Sequence, residues 1–140
     1  DNVEDRMGHG RYVIFYFLCG LSASIAHIWA NPNSNTPSLG ASGAIAGVLG
    51  AYLLLYPRAR VVVLFFVFLI EVPAILFLGL WFVQQYFNGM LSLGVKSVVT
   101  GGVAWWAHIG GFAAGALLVG LFAQKRYRPV ARHVWWSQAR

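Results

Sequence analysis

TPSLGASGAIAGVLGAYLLLY, from Thr36 to Tyr56, is the stretch whose reading decides the fold. It opens with helix-start chemistry, Thr36 as cap and Pro37 at a first helical position that needs no N–H, and continues as an uncharged apolar run long enough to enter a bilayer. Ser42 falls in the first turn or two of that helix. Backbone N–H groups there have no intrahelical acceptor and point toward incoming negative charge. A serine so placed suits acyl transfer. Gly43, Gly47 and Gly50 also supply the small surface that close helix packing in membranes requires, and the motif taken alone favours packing over catalysis.

Outward from this stretch, the composition generalises the membrane reading. Of 140 residues, 59% are hydrophobic and only 10% charged, and the mean hydropathy is +0.65, which excludes an ordinary soluble domain. Residues 12–30, 39–56, 61–87 and 103–123 are free of charge, or nearly so, over bilayer length. The alternating pattern of a barrel is absent. The expected fold is all-α: one domain, 1–140, forming a polytopic membrane protein with four transmembrane helices over about 12–30, 39–56, 66–87 and 103–123. Residues 61–70 read as an interfacial lead-in to the third span.

The net charge of +6 does not point to nucleic acid, because the basic residues sit at helix ends and in the tail. Arg6 and Arg11 precede the first span, Arg58 and Arg60 lie between the second and third, and Lys125, Arg126, Arg128, Arg132 and Arg140 follow the fourth. Segments 31–38 and 88–102 carry Lys96 alone. The positive-inside rule then places both termini and the Arg58 loop in the cytoplasm. Cys19, the one cysteine, reads as packing and permits no intrachain disulfide. The chain opens DNVEDRMG, without an initiator Met or a signal-peptide pattern, and is expected to be part of a longer protein.

Several residues inside the apolar runs invite two readings. The first span turns small at Gly20, Ser22, Ala23, Ser24 and Ala26, a surface for another helix, and His27 beyond them reads as an interface histidine holding a hydrogen bond rather than as a catalytic one. Glu71, in the inner half of the third span, is either functional or a structural partner for a neighbour. Trp81 and Phe82 read first as belt residues and second as parts of a gate.

His108 lies within about two turns of the outer end of the last span, at a depth similar to that of Ser42. The two segments are read as antiparallel spans descending from the same face. Gly43 with Gly47, and Gly111 with Gly115, are four apart and line one side of each helix, so their close approach brings the serine to the histidine. Hydroxyl–imidazole contact is how a serine is activated as a nucleophile. No acid is available as a third member: Asp1, Glu4 and Asp5 lie before the first span and Glu71 in the inner half of the third, so the chemistry reduces to a Ser-His dyad. No HExxH occurs and the four histidines fall on different segments and sides, which argues against a metalloprotease.

Gly40-Ala41-Ser42-Gly43 at one helix mouth and Ala107-His108-Ile109-Gly110-Gly111, with Gly115 beyond, in the last span resemble the rhomboid family of intramembrane serine proteases. NVEDRMGHGRY, LGLWFVQQ and GGVAWWAH extend the likeness over most of the chain. The resemblance implies a six-helix core, of which these spans are helices 3 to 6, and hydrolysis of a peptide bond in or near a transmembrane segment of a substrate protein. It implies Ser42 as nucleophile, His108 as general base and then acid, and an oxyanion held partly by backbone N–H at Ser42 and Gly43. Gly40, Gly47, Gly111 and Gly115 are then packing positions, and Trp81 and Phe82 fall where a lateral gate has been proposed. It further implies no metal and no cofactor, partners in membrane protein substrates and the lipid bilayer, and a bacterial inner membrane.

Two departures accompany it. The family's helix bearing an oxyanion His and Asn precedes this stretch, and His9 and Asn2, as loop residues, do not replace that pair. Ala46 stands where many relatives carry an aromatic against the histidine, which leaves His108 less firmly oriented. The alternative is a noncatalytic rhomboid-like protein that binds transmembrane segments, against which the presence of both Ser42 and His108 weighs.

Overall fold

The computed structural model describes residues 2–32, 41–94 and 104–124. Its elements are α1 (Asn2–Met7), α2 (His9–Ala30), α3 (Ser42–Leu55), β1 (Arg60–Phe65), β2 (Phe68–Pro73), α4 (Ala74–Gly94) and α5 (Trp105–Phe122). Among the described residues, three helices, α2, α4 and α5, are long and apolar enough to cross a membrane. The remaining expected span is α3, apolar throughout but 14 residues long. The protein is thus a mostly helical polytopic membrane protein, as the sequence predicts. The expected cap at Thr36, Gly40 and the basic tail lie outside the described residues.

The third span differs from expectation at both ends. Residues 60–73, read as a lead-in and the start of a helix, form an antiparallel hairpin whose register runs from Arg60↔Pro73 to Phe65↔Phe68. The physical reason is composition: Val61, Val62, Val63, Ile70 and Val72 are β-branched, and such side chains sit better on a pleated strand than in a helix. Phe66, at the turn, takes φ 55, the positive value that the first position of a tight hairpin turn demands. Pro73 closes the ladder where no donor is needed, and α4 starts at the next residue. Glu71 therefore belongs to no span. It is exposed on β2, and Arg60 donates to it at 3.1 Å across the hairpin, which favours the structural of its two readings.

α2, α3 and α5 pack against one another as a three-helix bundle, with α4 laid against α5. The small end of α2 performs as expected: a Cβ on Gly43 would meet Ala23, and one on Gly110 would meet Ala26. α3 and α5 run parallel, not antiparallel, because two helices that start at the same face and are separated by one intervening span must share a direction. Their contacts advance together, from Gly43 on Ala107 and Gly111 to Gly50 on Phe112 and Ala116. At the far end Val3 and Met7 of α1 join Phe15, Cys19, Ala51 and Val119 in a buried cluster, where Cys19 acts as the packing residue predicted. Arg11 donates to the Phe122 carbonyl at the end of α5, satisfying an acceptor the helix itself leaves open.

Candidate active site

Ser42 begins α3 and His108 lies in the first turn of α5, so the parallel packing of the two helices carries both to the same end of the bundle. The Nε2 of His108 is 3.1 Å from the Ser42 Oγ, across a sequence separation of 66. The α3 ladder begins with Ile45 N–H donating to the Ala41 carbonyl at 3.0 Å, which leaves the N–H groups of Ser42, Gly43 and Ala44 without an acceptor inside the helix. Ala41, in the cap position, supplies no side-chain hydrogen bond. Ser42 itself is exposed, whereas Gly43 behind it is buried.

The other ring nitrogen of His108 is also held. Its Nδ1 lies 2.7 Å from the Oε1 of Gln85, a residue only 4% exposed. With the amide oxygen of Gln85 turned toward it, Nδ1 is the donor of this bond, and Nε2 then presents its lone pair to the serine hydroxyl. The Trp81 ring lies against the imidazole, with centroids 5.8 Å apart and planes tilted 39°. Trp81, Gln85 and Gly89 recur every four residues and form one stripe of α4. Trp106 pins the end of that stripe by donating from Nε1 to the Gly89 carbonyl at 3.2 Å.

Of the residues predicted for the site, Ser42, His108 and Gly43 come together here. Gly47, Gly111 and Gly115 lie along the same helix pair, with the Gly47 carbonyl in the space of a Cβ on Gly115. Trp81 and Phe82 are half-buried, and both rings pack on Phe112, at 6.0 Å and 4.6 Å. Trp81 also walls a cleft of about 480 Å³ with Val63, Val72, Phe77, Leu80 and Gln84. His108 is not left loose by Ala46, because α4 supplies its orienting contacts instead of α3. His27 departs from its interface reading in one respect: its buried Nδ1 has no hydrogen-bond partner among the described residues. Asn2 and His9 are helical rather than loop residues and stand at the opposite end of the bundle.

Gln85 is the residue in contact with His108 that the sequence reading passed over. Its signal was present: a polar side chain inside an apolar run must find a partner within the protein, and Gln85 shares a helical face with Trp81. Among the described residues, no three His, Cys, Asp or Glu side chains group as a metal site would.

The chain matches the Rhomboid domain family over residues 1–125. It is also 47% identical over 51 residues to Rhomboid protease GluP of Bacillus subtilis (strain 168), a match taking in 36% of this chain and 10% of that protein. The matched stretch is thus a small part of that relative's length. No solved structure matches the chain. The chain belongs to the rhomboid family.

Proposed function

We propose that this rhomboid-family chain carries the catalytic dyad of an intramembrane serine endopeptidase, with Ser42 as nucleophile and His108 as its base. The observation that carries the reading is the 3.1 Å approach of His108 Nε2 to Ser42 Oγ. As Ser42 Oγ attacks the carbonyl carbon of a substrate peptide bond, its proton passes to His108 Nε2. The imidazolium then protonates the departing amine, and water, deprotonated by the same nitrogen, releases the acyl group from Ser42. Charge on the tetrahedral oxygen develops at the mouth of α3, where the N–H groups of Ser42 and Gly43 have no acceptor within the helix, and each such donor is typically worth about 3 kcal/mol.

The substrates on this reading are membrane proteins cut in or near a transmembrane segment, since a site at the end of membrane helices meets chain in the bilayer before it meets soluble protein. The charge pattern supports an orientation with both termini and the Arg58 side cytoplasmic and the dyad near the opposite face, and the family resemblance alone supports a bacterial inner membrane. Trp81 and Phe82, which hold α4 on α5, are the elements a lateral gate would move.

Labelling the detergent-solubilised full-length protein with a fluorophosphonate, and mapping the modified residue, tests the reading. Modification of Ser42 that disappears in His108→Ala is expected. A folded protein that takes up no label would overturn catalysis in favour of a membrane protein that binds transmembrane segments without cutting them.

A further inference from the structure

We infer that Gln85 is a positioning residue of this site, fixing the tautomer and the ring orientation of His108 through its side-chain oxygen. The inference rests on the proposed function and extends it from a dyad to a Ser-His-Gln relay. A dyad alone leaves the imidazole free to carry its proton on either nitrogen, and the tautomer protonated at Nε2 cannot accept from a serine. Gln85 Oε1, 2.7 Å from Nδ1, is satisfied only by the productive tautomer. The amide is buried, so water does not compete for that bond. Trp81, one turn before Gln85, closes the ring in from α4, so the histidine is gripped at an edge and on a face by a single helix. Among the described residues the acids sit elsewhere: Glu71 bonds Arg60 on the hairpin, and Glu4 and Asp5 belong to α1 at the far end. A neutral acceptor therefore occupies the place that a carboxylate takes in a triad.

The imidazolium formed during turnover keeps its Nδ1–H donated to Gln85, and no proton leaves that nitrogen. Gln85 acts on the reaction only through His108. Second-sphere partners of this kind change activity by roughly 10- to 100-fold when removed.

The test compares Gln85→Met, which keeps the shape and deletes the acceptor, with Gln85→Glu, which keeps the acceptor. The rate of fluorophosphonate labelling at Ser42 is followed against pH in the full-length protein. Wild-type labelling, a roughly 10- to 100-fold slower Gln85→Met and a Gln85→Glu recovered to within several-fold are expected. The carboxylate should also stabilise the imidazolium and move the acid limb of the Gln85→Glu profile upward by about one pH unit. Labelling of Gln85→Met at the wild-type rate, or equal slowing of both variants with an unmoved profile, would overturn the inference. Should Gln85→Met fail to fold, the acid limb of Gln85→Glu decides alone: displaced, it supports the role, and unmoved, it refutes it. An unlabelled wild type instead removes the proposed function itself, so the two failures are told apart by the first arm.

Discussion

The carbonyl of Gly43 occupies the space that a Cβ on Gly111 would need. These two residues set the separation of α3 and α5, and with it the distance between the Ser42 and His108 side chains that the same helices carry one position before Gly43 and three before Gly111. A backbone atom, unlike the end of a flexible side chain, cannot move aside cheaply.

Gly111→Ala should therefore push the helices apart, lowering stability by about 1–3 kcal/mol as overpacking does. It should also slow Ser42 labelling by at least about tenfold, since a displacement of 1 Å at a reacting pair can cost about a hundredfold. Gly120→Ala is the control, because nothing lies within 4 Å of a Cβ there. Thermal unfolding in detergent, beside the labelling rate, separates the two: Gly120→Ala should match or slightly exceed wild type on both. Equal behaviour of the two variants would remove the glycine seam as the element that sets the site.

Arg60→Ala and Glu71→Ala should each leave labelling within about twofold of wild type and change stability by no more than about 1 kcal/mol. Both side chains are exposed, at 72% and 57%, and their pairing joins two strands that stand apart from the dyad. Loss of activity in Glu71→Ala without loss of stability would restore the functional reading of that acid.

Ser42→Ala should abolish labelling and lower cleavage of a transmembrane substrate by at least about a thousandfold, with thermal stability unchanged. The stability half of the expectation follows from exposure: Ser42 begins its helix at the surface, and its hydroxyl bonds a partly buried histidine. A variant with normal cleavage would place the nucleophile elsewhere.

The approach of Ser42 to His108 was legible in the sequence because its information is local: each residue sits at a helix mouth followed by glycines at a spacing of four, and topology does the rest. The hairpin was hidden for the opposite reason. Both faces of its strands are apolar, so the period-two alternation that marks a half-buried strand is missing, and hydropathy summed over 61–87 reads as one long span. The β-branched valines and a Glu71 that needed Arg60 were the available signals. The inward packing of Trp81 and Phe82, like the bond from His108 to Gln85, depends on how α4 rolls against α5. A helix apolar all round gives no amphipathic stripe to fix that roll. Among the polar positions of α4 it is the buried Gln85, with the Trp106–Gly89 bond, that marks the inward face, whereas Gln84 beside it is exposed.

That roll leads to a prediction that separates a gate from ordinary packing. The Phe82 and Phe112 rings, 4.6 Å apart and tilted 30°, form the tightest aromatic contact between α4 and α5. Such a pair contributes about 1 kcal/mol beyond its buried area. Phe82→Ala should lower thermal stability. Its effect on activity depends on whether α4 must move: a fluorophosphonate is small enough to reach an exposed Ser42 past a closed helix pair, whereas a transmembrane segment has to displace one. If α4 swings, cleavage of a transmembrane substrate should rise relative to labelling, because the closed state loses an attraction that the open state never had. Cleavage and labelling that fall together would instead mean that Phe82 supports α5 and, through it, the ring of His108. The ratio of the two rates is thus the quantity to measure, and an increase of about threefold or more is expected, corresponding to a loss of roughly 0.7 kcal/mol from the closed state.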